Sequence, residues 1–173
     1  MESFAKILLA GGHANSLGRS GEVLETVRKD TSRLDELFDC ISADDAWVRM
    51  RAIDTFEKLV KERPALVQPY LKSILSDLTK SEQPSIQWHL AQIFSEVALS
   101  NSQRKDAIEW LKARVATTEV DWIVSVNAMK TLLAFYKDGF MRADELTTLF
   151  KTQSEHPSKS VRKKAAVFLQ DLA

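Results

Sequence analysis

The stretch GGHANSLGRSG at residues 11–21 collects the side chains best suited to chemistry. His13, Asn15, Ser16 and Arg19 are four polar groups in seven residues, set among four of the chain's five glycines. Glycine permits positive φ and leaves backbone N–H groups accessible. Such a loop would bind an anion or a peptide carboxylate, or it would simply join two helices. It is not a phosphate-cradling P-loop, because the Gly-Lys-Ser/Thr ending is missing and no strand precedes it. Ser16 and Ser20 also lack the Gly-x-Ser-x-Gly frame of a nucleophile elbow. The other histidines, His89 and His156, lie far from His13 and from each other, so no helical His-x-x-x-His pair exists for zinc. Cys40 is the sole cysteine, which permits neither an internal disulfide nor a cysteine-based zinc site. No catalytic set, metal or cofactor is therefore expected. The loop is read as a joint between a leading helix near 2–10 and a second near 20–30, with His13, Asn15, Ser16 and Arg19 as its candidate contacts.

The elements that position these residues follow from composition and period. A chain of 173 residues with 45% apolar and 28% charged residues is globular in composition. Lys plus Arg and Asp plus Glu number 24 each, for a formal charge of zero, which argues against a dedicated nucleic-acid binder. The run FAKILLA is too short for a membrane span and has no basic leader. These totals predict a soluble, cytoplasmic protein that engages no membrane.

Internal periodicity is the dominant signal. VRMRAIDTFEKLV, IQWHLAQIFSEVA, VSVNAMKTLLAFY and VRKKAAVFLQDLA begin at residues 48, 86, 124 and 161. In each, the first, fifth, sixth, ninth, twelfth and thirteenth places are apolar, which is one broad helical face. In the first stretch these are Val48, Ala52, Ile53, Phe56, Leu59 and Val60. A shorter apolar pattern precedes each stretch, as in Leu34, Leu37, Phe38 and Ile41, and again in Leu71, Ile74, Leu75 and Leu78. The links SADDA, KSEQP, TTEVD and SEHPSK carry Asp, Ser, Thr and Pro, which cap or open a helix. The expectation is an all-α protein of four helical pairs at 31–64, 65–101, 102–139 and 140–173. Residues 1–30 form an N-terminal helical cap, and the whole is a single domain.

DDAWVRMRA and PSKSVRKKA resemble the HEAT-repeat signature, in which a polar turn is followed by Val-Arg-x-x-Ala. The likeness covers residues 31–173 and is strongest at Val48-Arg49 and Val161-Arg162; Gln87 and Ser125 replace the arginine in the middle repeats. It implies a right-handed α-solenoid with the second helices on the concave side. It also implies that Arg49 and Arg162 pair with an acidic residue of the preceding turn, Asp44 or Asp45 for Arg49. The His-Glu dipeptides of the HEAT-like metal-binding hydroxylases are absent.

The third place of each second helix, opposite the apolar face, holds Met50, Trp88, Val126 and Lys163. The fourth holds Arg51, His89, Asn127 and Lys164. In a solenoid these positions form two ladders facing solvent along the concave surface, and aligned exposed apolar groups mark contact sites. The function expected is a non-catalytic adaptor or scaffold that grips a protein or peptide there. The alternative is a DNA-binding or repair protein like the HEAT-like alkylpurine glycosylases, with Trp88, Arg51, Asp54 and Trp122 as counterparts. Zero net charge makes a nucleic-acid partner the weaker expectation.

Overall fold

The computed structural model describes residues 2–12 and 16–172, and every regular element among them is helical. Ten α-helices follow in order: α1 (Phe4–Leu9), α2 (Ser20–Lys29), α3 (Leu34–Asp39), α4 (Ala46–Glu62), α5 (Leu71–Ser76), α6 (Pro84–Glu96), α7 (Asn101–Val115), α8 (Trp122–Lys137), α9 (Ala143–Gln153) and α10 (Lys159–Gln170). No described helix is long and apolar enough to cross a membrane.

The helices start and stop where the link chemistry dictates. Asp45 accepts the Trp47 and Val48 N–H groups at 2.8 and 3.0 Å, and Asp121 accepts that of Ile123 at 2.9 Å. Each satisfies donors that a helix start otherwise leaves open. Ser100 and Gln103 form a reciprocal capping box on α7, and Pro84 opens α6. Helix α8 ends in a Schellman arrangement. Phe140 N–H reaches the Phe135 carbonyl at 2.8 Å, and Gly139 supplies the left-handed residue at φ 81°.

The chain forms two compact units, Met1–Pro69 and Tyr70–Ala173, where the sequence reads as one domain. The division falls just inside the second expected repeat, in the 3-10 segment Pro64–Tyr70, where two prolines remove backbone donors. In the first unit α4 packs against α1, α2 and α3. Phe4, Leu8, Val27, Leu37, Ile53 and Phe56 are buried there, each contributing about 1.5–3 kcal/mol. In the second unit α6, α8 and α10 touch in sequence, as do α5, α7 and α9.

Cys40 is buried in the first unit, and burial pushes its thiol up to about 11. The thiolate is the reactive form, so native protein treated with iodoacetamide near neutral pH should label slowly and become fully reactive only on unfolding. Rapid labelling of the folded chain would contradict this packing.

Candidate functional site

A cavity of about 390 Å³ lies between α8 and α10, lined by Trp122, Val126, Ser160, Lys163, Lys164 and Val167. Trp122 and Val126 are one turn apart on α8, while Ser160, Lys163, Lys164 and Val167 share a face of α10 at helical spacing. Trp122 and Ser160 stand near the starts of their helices, and Val126 and Val167 lie further on. Trp122 and Val167 are 50% and 49% exposed, which makes the floor apolar and open.

The charged residues that line this floor are Lys163 and Lys164, with the Asp121 carboxylate capping α8 beside Trp122. Helices α8 and α10 carry Lys130, Lys137, Lys159, Arg162, Lys163 and Lys164 and no acidic residue. Lys137 lies 3.5 Å from Asp171, and Arg162 donates to the His156 and Pro157 carbonyls at 2.6 and 2.7 Å. Lys130, Lys159, Lys163 and Lys164 have no ion pair among the described residues; Lys164 Nζ lies 5.9 Å from the centre of the Phe168 ring. Three other cavities of this unit carry both signs. One combines Arg104, Lys105 and Lys112 with Glu109 and Glu145, another Lys72 with Asp106, and a third Arg114 with Glu82, Glu119 and Asp121.

Of the expected ladder residues, Val126, Lys163 and Lys164 meet at this groove. Trp88 is half-buried, its ring stacked on that of His89, and Met50 is half-buried on α4 in the first unit. Two fourth-place residues correct the expectation of a solvent-facing ladder. Arg51 is 3% exposed, and its guanidinium donates to the Leu8, Leu9 and Ser16 carbonyls at 2.5, 3.4 and 2.9 Å. His89 is 1% exposed, with Nδ1 2.6 Å from the Ser85 carbonyl. Asn127 is half-buried: it accepts from Gln92 of α6 at 3.2 Å and donates to Ile123 O at 2.8 Å. Thr131, one turn along, donates to the Ala91 carbonyl of α6 at 2.7 Å. This flank of a second helix is therefore a seam with the element before it, and only Lys164 stays open on it.

The glycine-rich stretch closes on Arg51. A Cβ on Gly12 would lie 2.5 Å from Ser16 Oγ and 3.2 Å from Arg51 Nη2, and one on Gly18 would lie 2.7 Å from the Gly11 carbonyl. Ser16 Oγ accepts the Gly18 N–H, and Arg19 pairs with Glu22 and Glu2 at 2.7 and 3.3 Å. Ser16 and Arg19 thus have intramolecular partners; His13 and Asn15 lie outside the described residues. No group of three or more His, Cys, Asp or Glu side chains is placed to hold a metal among the described residues. Of the DNA-repair counterparts, Arg51 spends donors on backbone carbonyls, and Asp54 pairs with Lys58 at 2.6 Å.

The second residue of the repeat motif has a consistent partner. Arg49 donates to the Ala43 and Asp44 carbonyls at 2.8 and 2.7 Å, and Gln87 to Ser81 O at 2.9 Å. Arg162 does the same to His156. Each contact reaches back five or six residues onto the link. Asp45, expected as a partner for Arg49, instead caps the helix. Ser125 is too short for this contact, and its buried hydroxyl has no hydrogen-bond partner.

Ser160 and Val167 lie outside the two ladders expected from the sequence, and Trp122 enters that expectation only as a DNA-repair counterpart. The signal for Val167 was present: it lies one turn beyond Lys163, on the outermost line of the helix. Comparison with family models, curated proteins and solved structures finds no match to this chain.

Proposed function

We propose that this chain is a HEAT-like helical-repeat module that binds a protein or peptide in the groove between α8 and α10. The observation that carries the reading is the groove itself, a half-exposed Trp122 and Val167 in an apolar floor bordered by unpaired lysines. Tryptophan is over-represented among residues that dominate binding energy, and exposed apolar patches with a polar rim mark contact surfaces. The sequential contacts of α6, α8 and α10, and of α5, α7 and α9, support a solenoid reading of the second unit, whose right hand is what the HEAT resemblance implies. So does the recurrent contact from Arg49, Gln87 and Arg162 to the preceding link. Within that reading the module is an adaptor or scaffold rather than a catalyst.

Site-specific photocrosslinking tests the location. A benzophenone side chain at exposed Ser160 should form protein adducts in the source cell that one at exposed Glu109 does not. A Trp122→Ala change in the same chain should remove those adducts. Equal adducts from both positions, or adducts indifferent to Trp122, would refute the groove.

A further inference from the structure

We infer that the occupant of the groove is an acidic, amphipathic peptide segment. Its apolar anchor lies against Trp122, Val126 and Val167, and its carboxylates face Lys163, Lys164 and Lys130. This rests on the groove reading above and adds the chemistry of the partner.

Charge complementarity selects an acidic partner. A chain with zero net charge places six cations and no anion on two helices. Lys159 and Arg162 lie in the first turn of α10, where the helix dipole is already positive, and Lys163 and Lys164 follow in the second. Cations there oppose the dipole, and no acidic side chain in the first turn offsets them. The start of α8 beside Trp122 is capped by the Asp121 carboxylate, whereas the start of α10 beside Ser160 has no side-chain cap. Lys159, Lys163 and Lys164 have no ion pair among the described residues to offset this opposition, and a carboxylate-bearing ligand would supply one.

The floor selects a peptide. About 390 Å³ falls in the size range of small ligand sites and suits a side-chain anchor rather than an extended chain of bases. A single-strand platform combines several stacking aromatics with a long basic track. Here one tryptophan stands beside two valines, which suit an aliphatic or aromatic side chain. By spacing, Lys130 lies one turn beyond Val126 on the same face of α8. Lysines therefore flank the floor on both helices, which calls for acidic residues on either side of the anchor.

The test is selection of a phage-displayed library of random dodecapeptides on the full chain at low salt. Recovered peptides should combine Phe, Trp or Leu with several Asp or Glu. Exchanging Glu for Gln in a recovered peptide should weaken binding at least tenfold, and the double variant Lys163→Glu, Lys164→Glu should weaken it similarly while helicity is retained. Selection on that double variant should shift toward basic peptides. Peptides that depend on Trp122 but show no acidic bias would overturn this inference and leave the groove reading standing. If no recovered peptide depends on Trp122, both fall. Labelled duplex or single-stranded DNA that binds more tightly than the peptides, and loses affinity in the same lysine variant, would assign the cations to nucleic acid and overturn the peptide.

Discussion

Arg51→Ala is expected to destabilise the first unit by about 3 kcal/mol. The guanidinium reaches three backbone carbonyls, Leu8 and Leu9 at the end of α1 and Ser16 in the glycine-rich loop. A helix end leaves its last carbonyls without intrahelical partners, and α1 is only six residues long. Arg51 therefore satisfies acceptors that α1 cannot satisfy itself. Alanine removes the charge-assisted bonds and leaves a void beside buried Leu8. Arg51→Lys should recover little, since a single ammonium does not reproduce the fork of a guanidinium. Urea unfolding should show the lower midpoint, and limited proteolysis should cut first near residues 10–19. A loss below about 1 kcal/mol, with α1 amides still protected from hydrogen exchange, would mean that the loop holds itself together.

Gly18→Ala should cost a comparable amount, about 3 kcal/mol, by a different route. Gly18 sits at φ 52°, and its added Cβ would meet the Gly11 and Ala10 carbonyls at 2.7 and 3.0 Å and Arg51 Cζ at 3.1 Å. About 1 kcal/mol comes from the left-handed conformation, and the rest from displacing backbone that cannot rotate away. Gly21, three residues on, is the internal control. It lies inside α2, where an added methyl would meet nothing within 4 Å, and Gly21→Ala should stabilise by roughly 0.5 kcal/mol. Thermal unfolding of the two variants should therefore shift in opposite directions; shifts of the same sign would refute the packed loop. Because Gly18 and Arg51 touch, the double variant should lose less than the sum of the singles.

The helices themselves were legible because their apolar places recur at fixed spacing and their caps are local chemistry. Val48, Ile86, Val124 and Val161 are all buried early in a second helix. The solvent side was harder to read. With 3.6 residues per turn, the third and fourth places both lie about 130° from the centre of the apolar stripe. Nothing in that geometry says which flank a neighbour will cover. The structure covers the fourth, through Arg51 under α1 and the loop and through Asn127 against α6. The glycine-rich stretch was legible as a joint, but the residue it closes on lies 30 or more positions away. No local pattern carries that information.

The link between α7 and α8 has a consequence for how the groove comes into being. Its carbonyls are fastened from beyond, because Gln153 Nε2 donates to Val115 and Thr117 at 2.8 Å. His156 Nε2 reaches Val120 at 3.0 Å, while its Nδ1 accepts the Ser158 N–H. Trp110 does the same one pair earlier, donating to Thr79 at 2.9 Å. Both of these links thus gain hydrogen-bond partners only from the pair that follows, and the wall bearing Trp122 is tied down by α9 and the link after it. A chain ending after α8 would therefore display the tryptophan without those fastenings and without the α10 side of the groove.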